Sequence, residues 1–174
     1  MNTRVFWLYL FAALLALSAL ARAERPSSDE VAIRLGVDAW LNERTAVAPA
    51  AVPRSLKALY RSDLVATELL SGTLNTAQGW TGYVALWQPF FSSVSSFSAK
   101  SGNNLKISVQ GDRAVTDFSF ASQGAYKDGR PLTCAANVNL TWTRTEGVWQ
   151  IAREELRPIV SGLVLEPARA TTQR

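Results

Sequence analysis

The segment VWQIAREELRP, Val148 to Pro158, carries Arg153 and Glu155 two residues apart at the end of an apolar run. Side chains alternate between the two faces of a β-strand, so Trp149, Ile151, Arg153, Glu155 and Arg157 are predicted on one side. Val148, Gln150, Ala152, Glu154 and Leu156 then take the other. Two readings stand. An ion pair at a fraying strand end contributes little. In a pocket, Arg153 would bind an anionic or carbonyl oxygen, and Glu155 would accept a proton or a hydroxyl. Among the other carboxylates, Asp117 in AVTDFSFA falls mid-strand. It is either solvated on an outer face or functional, because Phe118 and Phe120 read as the buried set. Asp38 lies on a helix flank, Asp63 caps or turns, and the alternation around Glu68 leaves its direction undecided.

The 174 residues contain no histidine and one cysteine. That excludes Ser-His-Asp and Cys-His nucleophiles and matches none of the usual zinc ligand sets. No phosphate-binding G-x-x-x-x-G-K-[ST] occurs. Carboxylate chemistry remains, since desolvation can raise a carboxyl pKa toward neutrality. Cys134, beside Leu132 and Ala136 on an apolar face, reads as a buried, inert thiol.

The elements that must position these groups begin at Ser27, where Ser27 and Glu30 form a capping box. Ile33, Val37, Trp40 and Leu41 make one helical stripe after it. The loop from Ala46 to Pro53 ends that helix. A short helix is predicted over 54–60, a strand over 64–70, and a third helix over 77–87, closed by Pro89. The period then changes to two. Leu105 to Val109, Ala114 to Ala121, Leu132 to Trp142 and Trp149 onward read as an antiparallel meander, turning at Gly111-Asp112, Asp128-Gly129 and Glu146-Gly147. Helices followed by antiparallel strands predict an α+β domain, with a strongly bent sheet wrapped around N-terminal helices.

Arg4, the apolar run from Val5 to Leu20 and Ala21-Arg22-Ala23 predict a signal peptide over 1–23, hence an exported, periplasmic or secreted protein with no stable membrane insertion after cleavage. Sixteen basic and fourteen acidic side chains then remain, without runs, which argues against a nucleic-acid partner. Residues 24–158 form the predicted domain, and 159–174 a loose tail.

The order VDAWLNE, LKALYRSDLVATELLSG, YVALWQPF, GDRAVTDFSF, KDGRPL and EGVWQIAREEL resembles the SnoaL-like branch of the nuclear-transport-factor-2-like superfamily, over about Asp29 to Pro158. The resemblance implies a cone-shaped α+β fold with a central cavity, often as a homodimer. Tyr60, Tyr83, Trp87 and Trp149 would wall that cavity, with Arg153 and Glu155 at its mouth. Many relatives carry histidines after the W-x-I of the last strand. Here Arg153 and Glu155 stand there, so histidine-based roles do not transfer. The resemblance implies binding of a small, apolar-to-amphipathic ligand. If the domain is an enzyme, the chemistry would be cofactor-independent isomerisation, cyclisation or dehydration, with Glu155 and Asp117 as catalytic candidates and no metal. The alternative is a non-catalytic dimerisation or protein-interaction module of the cell envelope.

Overall fold

The computed structural model describes residues 26–45, 52–69 and 72–159. The predicted signal peptide, most of the Ala46–Pro53 loop and nearly all of the tail lie outside them. Helix α1 spans Ser28–Thr45. Its capping box is formed: Glu30 N–H donates to Ser27 Oγ at 3.1 Å, and Ser27 N–H donates to Glu30 Oε2 at 2.9 Å. A 3₁₀ turn, Arg54–Leu59, leads into β1, Tyr60–Glu68. β2, Asn75–Gln78, runs directly into helix α2, Gly79–Ser93. Five strands follow: β3 Val94–Ser101, β4 Lys106–Gln110, β5 Arg113–Tyr126, β6 Pro131–Thr145 and β7 Val148–Pro158.

The strands form one curved, unclosed sheet in the order β2-β1-β7-β6-β5-β3, with β4 sharing the outer edge of β5. β4 pairs with the first part of β5 and β3 with the second. The sheet is mixed, because β1 runs parallel to β7 while every other pairing is antiparallel. The α+β class and the bent sheet agree with the sequence reading. The all-antiparallel expectation is corrected at β1, because the chain passes from α1 and the 3₁₀ turn onto the free edge of β7.

The predicted turns are present. Glu146 and Gly147 both have positive φ, 51° and 80°, the combination a tight two-residue hairpin between β6 and β7 requires. Two expectations fail on local grounds. β5 continues to Tyr126, beyond the expected end at Ala121, because Gly124 lets β3 approach closely. Pro89 lies inside α2 rather than closing it. An internal proline costs about 3 kcal/mol. Burying Phe91 beyond it, worth about 1.5–3 kcal/mol, offsets this.

The core fills the concave side of the sheet. Ile33, Val37, Trp40 and Leu41 of α1 and Tyr83, Trp87 and Phe91 of α2 pack against Phe118, Val138, Leu140, Trp142, Ile151 and Leu156. Among the described residues, no helix is long and apolar enough to cross a membrane.

Candidate functional site

The α1 stripe does not stop at Leu41. Arg44, four residues beyond Trp40, continues it and is 7% exposed. A cation in the last turn also suits the negative end of the helix. Its guanidinium lies between two indoles, with Cζ 4.2 Å from the Trp40 ring centre and 4.7 Å from that of Trp87. Arg44 Nη2 donates to Glu154 Oε1 at 2.5 Å and also to the Tyr83 hydroxyl. Glu154 is fully buried. Its Oε2 accepts from Trp40 Nε1 at 2.9 Å and from the Tyr60 hydroxyl. Trp40 Nε1 lies 2.8 Å from the Tyr60 oxygen, and the Tyr60 and Tyr83 oxygens are 2.9 Å apart.

Burial works to lower the Arg44 pKa, but Glu154, with the two tyrosines behind it, outweighs that and holds it above the ordinary arginine value. Desolvation, reinforced by Glu154, raises the Tyr60 phenol well above its usual range. Desolvation raises Tyr83 as well, against the opposing pull of Arg44. Both phenols therefore stay protonated and serve as hydrogen-bonding groups. Glu154 accepts hydrogen bonds from Arg44, Trp40 and Tyr60.

Arg44 also lines a cavity of about 610 Å³, with Trp40, Trp87, Phe90, Phe120 and Leu156 among its walls. That volume falls within the range of small-molecule sites. Among the described residues, Arg44 Nε and Trp87 Nε1 are buried donors with no hydrogen-bond partner. Each such donor costs about 1–3 kcal/mol, and native proteins rarely leave one unpaired. Glu68 is the one carboxyl group on the wall among the described residues. It is buried and accepts from Asn75 Nδ2 at 2.5 Å.

The residues singled out from the sequence are dispersed. Trp87 lines the cavity. Tyr60 and Tyr83 stand behind its wall, bonded to the Arg44–Glu154 pair. Trp149 packs beside the start of α1, its Nε1 3.2 Å from Asp29 Oδ1. Arg153 and Glu155 do not share a face with Ile151. Ile151 pairs with Trp142 and Arg153 with Thr141, so Ala152 is an extra residue that shifts the register. Inward orientation passes from Ile151 to Glu154 and Leu156, which corrects the predicted alternation. Arg153 Nε donates to Glu155 Oε1 at 2.7 Å, an ion pair away from the cavity. Asp117 accepts from Asn139 Nδ2 at 2.7 Å on the same outer side, where it and Glu155 border a shallower hollow. Cys134 is only half-buried and lines the cavity; desolvation raises its thiol pKa.

Solved structures share this architecture. A proposed aromatic ring hydroxylase from Novosphingobium aromaticivorans superposes with a TM-score of 0.67 at 21% identity, covering 79% of this chain and 93% of that one. A nuclear transport factor 2-like superfamily protein from Salmonella enterica serovar Typhimurium gives 0.65 at 15% identity, over 81% and 99%. The chain has the nuclear-transport-factor-2-like fold. A proposed scytalone dehydratase from Novosphingobium aromaticivorans gives 0.64 at 18% identity, over 76% and 85%. No protein-family model and no curated protein matches the sequence. In this nuclear-transport-factor-2-like cone, Arg44 and Glu154 are the functional candidates that alternation and motif spacing missed. The Trp40–Arg44 spacing of four carries a signal for the first. Nothing in the sequence announces the bulge that turns Glu154 inward.

Proposed function

We propose that the domain binds a small, largely apolar molecule that presents an oxygen acceptor to the inner end of the cavity. The observation that carries this reading is a cavity dominated by aromatic and aliphatic groups whose lining includes Arg44 and Trp87, residues whose buried donors Nε and Nε1 have no hydrogen-bond partner among the described residues. A carbonyl or hydroxyl oxygen reaching them would pair donors that have no partner among the described residues, while the rings of Phe90, Phe120 and Trp87 take up the apolar body. Two neighbours of this fold carry the names of a proposed aromatic ring hydroxylase and a proposed scytalone dehydratase, and the size and lining of this cavity suit an aromatic molecule.

The test is calorimetric titration of the purified protein with 2-acetylnaphthalene and with 2-ethylnaphthalene, which has the same shape without the oxygen. The ketone is expected to bind about tenfold tighter, the worth of one or two net hydrogen bonds. Trp87→Phe, which keeps a ring and removes Nε1–H, should shrink that preference. Equal affinities for the two probes in the wild-type protein would overturn the proposal.

Export belongs to the same proposal, supported by Arg4, the apolar run and Ala21-Arg22-Ala23. An N-terminus beginning at Glu24 on protein recovered from the periplasm or medium would bear it out, whereas an intact N-terminus in the cytoplasm would remove it. Homodimerisation is the assembly that the fold supports, and sedimentation equilibrium tests it.

A further inference from the structure

A second polar group faces the cavity beyond its aromatic rings. Ser122 of β5 follows Phe118 and Phe120 in the inward set of that strand, lines the cavity and is 7% exposed. It stands one two-residue step, about 7 Å, beyond Phe120. The Phe120 ring centre lies 6.2 Å from that of Trp40, over which the Arg44 guanidinium sits at 4.2 Å. The wall therefore runs from Arg44 past the rings of Trp40 and Phe120 to a buried hydroxyl.

That hydroxyl has used its proton and keeps accepting capacity. Ser122 Oγ donates to the Cys134 carbonyl oxygen at 3.2 Å, directly across the β5–β6 pairing. A serine hydroxyl has one proton and two lone pairs. Among the described residues, no donor is bonded to Ser122 Oγ. The Cys134 thiol neighbours it, and a thiol is a weak donor.

We infer that Ser122 is a specificity-determining residue: its oxygen accepts from a hydroxyl at the end of the ligand opposite the acceptor oxygen, so the site takes two-ring aromatic ketones or alcohols that carry a second, donating hydroxyl. The inference rests on the acceptor-binding reading above, which sets the other end of the ligand near Arg44 and Trp87. A ligand hydroxyl buried against Phe120 and Leu132 loses its hydration, and that costs affinity unless something accepts from it. Ser122 supplies the acceptor. A methyl ether at the same place has no proton to give.

The experiment adds 6-acetyl-2-naphthol and its methyl ether to the two probes above, at about pH 6, where a phenolic hydroxyl keeps its proton, and compares the wild-type protein with Ser122→Ala. In the wild-type protein the naphthol should bind about fivefold tighter than 2-acetylnaphthalene and than the methyl ether, the worth of one net hydrogen bond. Ser122→Ala should bring the naphthol and 2-acetylnaphthalene to within about twofold of each other. A naphthol that binds the wild-type protein no tighter than 2-acetylnaphthalene would overturn the inference. So would a preference that survives Ser122→Ala, since the accepting group would then be another residue of the wall, such as Glu68. The acceptor reading fails on a different pair of probes, when 2-acetylnaphthalene binds no better than 2-ethylnaphthalene, and the inference then falls with it. Should Ser122→Ala fail to fold, as seen by circular dichroism, the wild-type ratio of naphthol to methyl ether decides.

Discussion

Glu154→Gln, measured beside Glu155→Gln, perturbs adjacent residues that the structure places in opposite environments. The Glu154 carboxylate accepts from Arg44 at 2.5 Å, from Trp40 at 2.9 Å and from Tyr60, with the Arg44 and Glu154 side chains 7% and 0% exposed. Glutamine keeps the shape, removes the charge, and turns one acceptor oxygen into a donor among donors. Arg44 cannot escape by losing its proton, because its pKa is held above an already high ordinary value. Breaking one side of a buried ion pair costs about 3–5 kcal/mol. In a domain of this size that lowers Tm by roughly 10–15 °C. Among the described residues, the Glu155 side chain is bonded to Arg153 and Arg157, whose side chains are 52% and 71% exposed, and its replacement should cost under about 1 kcal/mol. Urea unfolding followed by tryptophan fluorescence measures both. Replacing the pair together, Arg44→Met with Glu154→Leu, should recover much of the loss, since it removes the stranded charge. Comparable costs at 154 and 155, or a cost below about 1 kcal/mol for Glu154→Gln, would refute both the inward register and the buried pair.

Other consequences are open to simple measurement. The raised phenol pKa values of Tyr60 and Tyr83 mean that neither ionises in the folded protein near the ordinary value of 10.0. Their contribution to stability is intact below pH 10, and it falls above that as unfolded phenols lose protons that folded ones keep; an ultraviolet titration should find two tyrosines silent until unfolding. Gly124→Ala should cost about 2–4 kcal/mol and loosen the β3 edge, because a Cβ there would lie 2.0 Å from the Ser96 carbonyl oxygen. Hydrogen exchange that leaves the β3–β5 amides as protected as in the wild-type protein would contradict this.

The periodicities carried most of the architecture. The capping box, the α1 stripe, the Glu146-Gly147 turn and the alternation of β6 each express a local preference that the tertiary fold does not oppose. The site was less legible, because it depends on one register shift. A strict period of two sends Glu155 inward, whereas a single extra residue at Ala152 sends Glu154 there instead. Bulges are settled by pairing across strands, which a single strand's sequence does not encode. Arg44 was hidden differently. An arginine at a helix end normally reads as solvated, and it becomes a core residue here because two indoles, two phenols and a carboxylate from three other elements and its own helix converge on it.

The most direct test of the account is a crystal structure of the complex with 2-acetylnaphthalene. The account predicts the ketone oxygen within about 2.7–3.2 Å of Arg44 Nε or Trp87 Nε1, with the rings among Phe90, Phe120 and Leu156. A ketone bound in the outer hollow beside Asp117 and Glu155, or seated in the cavity with its oxygen turned away from both donors, would contradict it.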